Sequence, residues 1–339
     1  MKIHFQTALN AHDGYGYAAQ ELILALDKTH RVFVEPMSAW YDHNSLKETT
    51  KALIRPVPQC DFQFSFFYPT GDIRIRNNRA ANITMYEATR CPREWAKAIN
   101  QRKVPILAPS RFVLEMFKDS NVNVPVYYLP FGIDQEFWAK IDRPMPEHRP
   151  FRFLIMGKLE PRKNTLATVQ AFRKAFPNDQ DVQLVIKTRE RFINREILAI
   201  ATKDNRVKII EQTLDEENLR NLYYSCDAFV FCSRGEGFSF PPRFAVATNM
   251  PTIVTNWSAL AEIPGATKVN VKSFSPMPPC GFSYGQEKEL LMADIDEDHL
   301  IDLMISVYQD YDRYKPNTVQ YTWDNTVECF DNIYKEYFE

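Results

Sequence analysis

The sequence contains no run of 18 apolar residues and no basic leader followed by an apolar segment. It therefore predicts a cytoplasmic protein without stable membrane insertion. Its six cysteines form no CxxC pair and have no histidine cluster nearby, so neither a zinc site nor a disulfide framework is indicated. We interpret the cysteines as reduced thiols, mostly in the cores; they are Cys60, Cys91, Cys226, Cys232, Cys280 and Cys329.

A strong excess of one charge is also missing, because 41 Lys and Arg nearly balance 43 Asp and Glu. The overall charge thus gives no strong signature of nucleic-acid binding. Residues 74–111 differ, since they contain nine basic residues and two acidic ones. Such a segment is usually a solvated face, but it can attract an anionic acceptor such as a lipid phosphate or a nucleic acid. The basic residues are Arg74, Arg76, Arg79, Arg90, Arg93, Lys97, Arg102, Lys103 and Arg111.

Short apolar runs alternate with amphipathic stretches along most of the chain. A strand over 3–9 and a helix over 17–26 begin a pattern that is typical of a parallel sheet with crossover helices. The pattern begins again at Phe151, after a stretch at 142–150 with three prolines and four charges. The sequence predicts an α/β protein with two Rossmann-like, doubly wound domains: residues 1–145 with a return helix in 318–339, and residues 146–317.

Two later segments stand out in the second half. Residues 264–285 contain four prolines and three glycines and are predicted to be a long irregular loop, and loops of that length are usually functional or mobile. Asp294-Ile295-Asp296 matches an Asp-x-Asp metal-binding string. Its position before a helix with Asp298 as the predicted N-cap is better explained by capping and solvation, so no metal site is predicted.

A glycine turn follows the first predicted strand. Gly14 and Gly16 lie in a G-x-G-x-x-A pattern, and Glu35 is predicted to end the next strand, as in a dinucleotide-binding fingerprint. Four residues separate the strand from Gly14, whereas the NAD-binding turn is tighter. An NAD-binding oxidoreductase that uses Gly14, Gly16 and Glu35 is therefore an alternative hypothesis. Asp13, directly before Gly14, is a candidate for acceptor or general-base work.

Two loops of the second half combine glycine with charge. Gly157, Lys158, Arg162 and Lys163 connect a strand to a helix that begins near Thr165. The amides of a helix N-terminus and the lysine charges are suited to a diphosphate leaving group. The second loop follows another apolar strand. There Gly235 and Gly237 flank Glu236, which can accept hydrogen bonds from sugar hydroxyls while the following amides contact phosphate.

These two loops resemble those of retaining GT-B glycosyltransferases of the large family four. Residues 236–241, Glu-Gly-Phe-Ser-Phe-Pro, are similar to the family's Glu-Gly-Phe-Gly-Leu-Pro run. Lys158 and Lys163 occupy the positions of the two basic residues that hold the donor diphosphate in that family. Segments 87–95, 109–112 and 129–137 resemble further family landmarks, so that the resemblance covers most of the chain.

The resemblance implies a GT-B fold, with two domains facing across a cleft. It implies transfer of a sugar from a UDP- or GDP-linked donor to an acceptor hydroxyl, with retention and without a metal or other cofactor. The acceptor expected for the family is a cell-surface glycan or glycolipid; a hydroxymethylated pyrimidine in phage-type DNA is an alternative. The predicted catalytic residues are Lys158, Lys163, Glu236, Glu87 and Asp13. The predicted donor-binding residues are Gly14, Gly16, Gly157, Arg162, Gly235, Gly237, Phe238, Ser239 and Arg243.

Two positions depart from the family pattern. Phe244 stands where the family usually has a second carboxylate for the ribose hydroxyls. Arg243 or a backbone group replaces that contact, or the donor is held differently, or the domain is inactive. Asn249 stands where the family tends to have glycine, and asparagine tolerates the left-handed backbone conformation.

Overall fold

The structure, a computed structural model, describes residues 1–189, 194–278 and 287–339. The chain divides into two compact units. Unit 1 comprises Met1–Asp134 and Tyr321–Glu339, and unit 2 comprises Gln135–Gln320. Cys280 lies outside the described residues.

Unit 1 contains a six-stranded parallel sheet in the order β2-β1-β3-β4-β5-β6. The direction in which strands are added reverses beside β1, which makes the carboxyl end of β1 a usual place for a ligand. The strands are β1 Lys2–Leu9, β2 Arg31–Tyr41, β3 Phe62–Phe66, β4 Ala80–Ile83, β5 Ile106–Ala108 and β6 Val126–Tyr128. The helices are α1 Gly14–Asp27, α2 Glu48–Lys51, α3 Arg93–Arg102, α4 Arg111–Lys118 and, at the end of the chain, α11 Trp323–Tyr337.

Helix α11 packs on unit 1 through aromatic side chains. Its Phe330 ring lies 4.7 Å from Phe64 and 5.2 Å from Phe62, measured between ring centroids. Both partners are fully buried residues of β3. Aromatic pairs at this distance add to the stability gained from burial of apolar surface. The last segment of the chain thereby completes the core of the first unit.

Unit 2 contains a second parallel sheet in the order β12-β11-β10-β7-β8-β9. This is the Rossmann strand order, and its switch point lies between β7 and β10. The predicted α/β class with two Rossmann-like parallel-sheet domains is therefore confirmed. The strands are β7 Phe151–Met156, β8 Val182–Thr188, β9 Val207–Glu211, β10 Ala228–Phe231, β11 Thr252–Thr255 and β12 Thr267–Val269. The helices are α5 Thr165–Ala175, α6 Arg195–Lys203, α7 Glu216–Ser225, α8 Phe240–Ala247, α9 Ser258–Ala261 and α10 Glu297–Gln309.

The proline-rich stretch 142–150 is fixed on unit 2 by two arginines. The buried Arg143 guanidinium donates to the carbonyl oxygens of Tyr223, Cys226 and Thr248 at 3.1, 2.7 and 2.8 Å. Arg149 donates to both carboxylate oxygens of Asp227, each at 2.7 Å. The boundary between the units consequently falls at Asp134, before the prolines that suggested a linker.

Residues 264–278, the described part of the segment predicted to be irregular, contain regular strands, and residues 279–285 lie outside the described residues. Besides β12, the segment contributes β13 Val271–Pro276, which pairs antiparallel with β14 Leu291–Ile295. Its prolines misled the prediction because Pro264 precedes the strands and Pro276 ends β13, where a missing N–H is tolerated. The predicted N-cap Asp298 is also wrong: Asp296 caps α10 by accepting from the His299 amide at 3.2 Å.

The described cysteines are buried or half-buried. Cys91, Cys226 and Cys232 are buried, and burial raises the pKa of the Cys232 thiol to about 12. Cys60 and Cys329 are half-buried. Within the described parts of the chain, no helix has both the length and the apolar character needed to cross a membrane.

Candidate functional site

Two loops of unit 2 meet at the carboxyl ends of the neighbouring strands β7 and β10. The first loop runs from Gly157 to Lys163 and leads into α5, and the second runs from Cys232 to Ser239 and leads into α8. Gly157 has a φ of +145°, a conformation that side chains oppose. The switch point therefore brings together the residues that the sequence singled out in two distant segments.

Glu236 is the centre of a buried hydrogen-bonded ion cluster. Its Oε1 atom accepts from Lys163 Nζ at 2.8 Å, from Arg162 Nη1 at 3.0 Å and from Ser233 Oγ at 2.5 Å. Arg162 also donates to the Gly235 carbonyl oxygen at 2.7 Å. Because each of these donors comes from one of the two loops, the cluster fixes the loops to each other.

Burial and the neighbouring charges shift the pKa values of Glu236 and Lys163 in the cluster. Burial raises the pKa of Glu236, but the charges of Lys163 and Arg162 outweigh it and hold the pKa below the ordinary value. Burial lowers the pKa of Lys163, and Glu236 opposes that change. Among the described residues, every hydrogen bond to the Glu236 carboxylate falls on Oε1. The described residues thus anchor the carboxylate through one oxygen.

Two serines and a hairpin support this loop, and sequence reasoning missed all three. Ser233 reaches the Glu236 carboxylate, and Ser258 Oγ accepts from the Glu236 amide at 3.1 Å. Arg234 donates to Ser275 Oγ at 2.6 Å and pairs with Asp294 Oδ1 at 2.9 Å, which attaches the loop to the β13–β14 hairpin. The position of Ser233 directly after an apolar strand was a usable signal.

Three non-glycine residues in these loops or in contact with them have a positive φ. Asn164 has φ +55°, Ser239 has φ +69° and Ser258 has φ +56°. A serine in this conformation is destabilising by about 1–3 kcal/mol, and such residues tend to cluster at functional sites. The surrounding contacts therefore impose the loop geometry against local preference.

The Arg243 and Phe244 side chains make packing contacts within unit 2. The family usually has a carboxylate for the ribose at position 244. The Arg243 guanidinium lies 4.1 Å from the Phe238 ring centroid and donates to the Ala259 carbonyl oxygen at 3.4 Å. Phe244 is buried and stacks on Trp138, with centroids 4.0 Å apart and planes 8° from parallel. Helix α8 therefore presents packing groups at these two positions.

In unit 1 the glycine turn after β1 is built by close packing and capping. A Cβ on Gly16 would lie 2.0 Å from the Asn10 carbonyl oxygen, whereas one on Gly14 would meet nothing within 4 Å. Asp13 Oδ1 accepts from the Gly16 amide at 2.8 Å and caps α1. One oxygen of the predicted acceptor-side carboxylate thus stabilises the helix.

Tyr15 connects this turn to the loop that holds Glu87. Its hydroxyl donates to the Met85 carbonyl oxygen at 3.1 Å and accepts from the Met85 amide at 3.3 Å. Burial raises the pKa of Tyr15 well above its ordinary value, and the nearby Tyr68 and Glu87 raise it further. Sequence reasoning passed over Tyr15 because it considered only the glycines beside it.

The acidic residue of the oxidoreductase hypothesis lies elsewhere. Glu35 is in the middle of β2, opposite Gln6, so the prediction that it ends the strand is wrong. Its carboxylate accepts from His4 Nε2 and Arg76 Nη2, each at 2.9 Å. The hypothesis therefore loses the ribose-binding group on which it relied.

The basic segment 74–111 is partly used within unit 1. Arg74 and Arg76 form ion pairs with Asp72 and Glu35. Arg102 donates to backbone carbonyls, and burial lowers its pKa. The other exposed basic side chains between positions 90 and 111 are those of Arg90, Arg93, Lys97, Lys103 and Arg111.

Comparison with known proteins supports this picture of unit 2. Residues 150–277 match the family Glycosyl transferases group 1. A region of 115 residues is 29% identical to the serotype-specific mannosyltransferase WbdA of Escherichia coli. The region covers 33% of this chain and only 14% of that protein.

Solved structures share the fold over the whole chain. Sucrose-phosphate synthase from Thermosynechococcus elongatus superimposes with a TM-score of 0.67 and 14% identity, covering 100% of this chain and 99% of that one. A glycosyltransferase from Rickettsia africae gives a TM-score of 0.64 and 15% identity, covering 98% of both chains. The resemblance predicted from the motifs is confirmed: residues 150–277 match the group 1 glycosyltransferase family, and the chain has the GT-B fold.

Proposed function

We propose that the chain is a glycosyltransferase that takes a sugar from a nucleoside-diphosphate sugar bound to unit 2. The observation that carries the proposal is the buried Glu236 carboxylate, with three donors on Oε1, beside the basic loop after β7. Its position at the switch point is where open α/β sheets bind ligands. The group 1 match over residues 150–277 supports the same reaction class.

The leaving diphosphate lies against the loop after β7. Lys158 and Lys163 supply positive charge, and the first amides of α5 add the partial positive charge of a helix N-terminus. Negative charge builds on the diphosphate as the bond to the sugar breaks. Cations already fixed by the cluster stabilise that charge without reorganisation, which lowers the barrier. No metal is needed for this step.

The sugar lies against Glu236. With Oε1 anchored by Lys163, Arg162 and Ser233, Oε2 accepts from a sugar hydroxyl in a fixed direction. The reaction proceeds with retention by front-face attack, and a donor phosphate oxygen takes the acceptor proton. Asp13 and Glu87 of unit 1 are assigned to the acceptor.

The acceptor is a glycan or glycolipid, a proposal supported by the similarity to a mannosyltransferase. Modified DNA is the competing acceptor. Since phosphate neutralisation releases counterions, DNA binding would weaken steeply with salt. We expect no gel shift of duplex DNA at low salt, and a salt-dependent shift would favour the DNA acceptor.

A screen of UDP- and GDP-sugars for hydrolysis and transfer, beginning with GDP-mannose, tests the reaction class. Isothermal calorimetry with UDP, GDP and NAD tests the ligand. We expect one nucleoside diphosphate to bind, and turnover to persist in EDTA. The anomeric configuration of the product, read by NMR, tests retention. NAD binding without nucleoside-diphosphate binding would overturn the proposal.

Matched variants locate the donor site. Lys163→Met and Glu236→Gln should abolish measurable turnover. The first removes the positive charge that stabilises the leaving diphosphate, and the second removes the carboxylate oxygen that accepts a hydrogen bond from the sugar. Lys174→Ala is the control, since Lys174 is an exposed lysine of α5, the helix that follows Lys163, and pairs with Glu297 at 3.6 Å. A folded Lys163→Met variant with wild-type activity would remove the main phosphate contact.

A further inference from the structure

Ser239 occupies the N-cap position of α8 without acting as a cap. An N-cap serine normally accepts from the amide two or three residues on. Those residues are Pro241 and Pro242, which have no N–H group. Helix capping therefore does not explain why a serine stands at this position.

Two further features make Ser239 unfavourable for the folded chain. Its φ of +69° is a conformation that glycine adopts more easily. Its Oγ atom is buried from solvent and has no hydrogen-bond partner among the described residues. A buried, unpaired hydroxyl is destabilising, so both features call for a compensating interaction.

The surroundings indicate what that interaction is. Ser239 lies three residues beyond Glu236, in the loop that the Lys163 and Arg162 side chains join to the loop after β7. It also stands at the N-terminal end of α8, where the helix dipole favours negative charge. A hydroxyl group there has a proton to donate, and a phosphate oxygen is the acceptor that suits this charge.

We infer that the Ser239 hydroxyl donates a hydrogen bond to a phosphate oxygen of the bound donor. This inference rests on the proposed function and deepens it by assigning a diphosphate contact to a side chain of the second loop. Serine is kept in a strained, desolvated position because the bound diphosphate supplies its missing partner.

Ser239→Ala and Ser239→Gly test the assignment by calorimetry with the diphosphate, UDP or GDP, that the wild type binds. A hydrogen bond to a charged group is large enough that both variants should bind it about tenfold or more weakly. Both should unfold at or above the wild-type temperature, since they remove the unpaired hydroxyl and glycine also removes the strain. Asn249→Gly is the control: Asn249 has φ +64° at the opposite end of α8, and its replacement should leave affinity unchanged.

Three outcomes would contradict the inference. Unchanged diphosphate affinity in both serine variants overturns it while leaving the proposed function standing. Weaker binding of the nucleotide-sugar with unchanged binding of the free diphosphate places the hydroxyl on the sugar instead. A wild-type protein that binds no nucleoside diphosphate overturns the proposed function and this inference together.

Discussion

In unit 1 the turn after β1 is held by a capping aspartate and a half-buried tyrosine, whereas in unit 2 the loops after β7 and β10 are held by an ion cluster. Both turns lie beside the strand where the sheet order reverses. The Asp13 carboxylate and the Tyr15 hydroxyl bond to backbone groups, whereas the Glu236 carboxylate accepts from two cationic side chains. The comparison indicates that fixed charge is concentrated where an anionic donor would bind, and four predictions test it.

The largest effect is expected from breaking the ion cluster. Glu236→Ala leaves Lys163 and Arg162 without their buried carboxylate, and loss of one partner of a buried ion pair is destabilising by about 3–5 kcal/mol. Urea unfolding measures the change. Glu236→Ala combined with Lys163→Met should be less destabilising than the two single changes added together. If the stability losses of the two single variants simply add in the double variant, Glu236 and Lys163 are not coupled.

A smaller loss is expected from Tyr15→Phe in unit 1. The change leaves the half-buried Met85 backbone groups without the hydroxyl that satisfies them, at about 1 kcal/mol, the lower end of the range for an unpaired group. Equilibrium unfolding gives the magnitude. Tyr41→Phe is the control, because the Tyr41 hydroxyl bonds to the exposed His43 side chain. Equal losses of unfolding free energy in the two variants would contradict a stabilising role of the Tyr15 hydroxyl bonds to Met85.

Two substitutions separate the helix-capping role of Asp13 from its proposed role at the acceptor. Asp13→Ala should reduce stability by about 1 kcal/mol through loss of the cap, whereas Asp13→Ser should retain it because serine also caps. Both should lower turnover at least about tenfold if the carboxylate assists the acceptor. Wild-type turnover in Asp13→Ser would reduce Asp13 to a capping residue.

The smallest effect is a pH dependence specific to unit 2. The folded pKa of Glu236 lies below its ordinary value of 4.5, so its ionised form stabilises the protein above that pH. The contribution is lost as pH falls from 4.5 through the folded pKa. The stability difference between wild type and Glu236→Gln should narrow over this range in unfolding titrations. A difference independent of pH would contradict the ion pairing.

The sequence singled out Lys163 and Glu236 of the unit 2 cluster, but not the contacts that hold the unit 1 turn. Lys163 and Glu236 both follow apolar strands, and the carboxyl ends of parallel strands share one edge, so their proximity followed from the strand pattern. The cap by Asp13 was missed because glycine disfavours helix, which placed the predicted start of α1 at Tyr17 rather than Gly14.

Unusual backbone conformations and long-range side-chain packing could not be predicted from the sequence. Serine favours negative φ, so nothing in its identity predicted the left-handed Ser239 or Ser258. The Phe244–Trp138 stack joins residues far apart in the chain and became visible only once both were placed. Asn249, whose φ of +64° was anticipated, is the exception, since asparagine tolerates that region.

The chain leaves unit 1 after Asp134 and returns to it at Tyr321, which makes unit 2 an uninterrupted insert. The two ends of the insert are neighbours, because the Gln135 side chain donates to the Gln320 backbone carbonyl. Adjacent ends are the arrangement in which one domain can be exchanged within another without stretching its host. A different domain with equally close ends could therefore be grafted between residues 134 and 321, giving a test on an unchanged unit 1 of the proposal that unit 2 selects the donor.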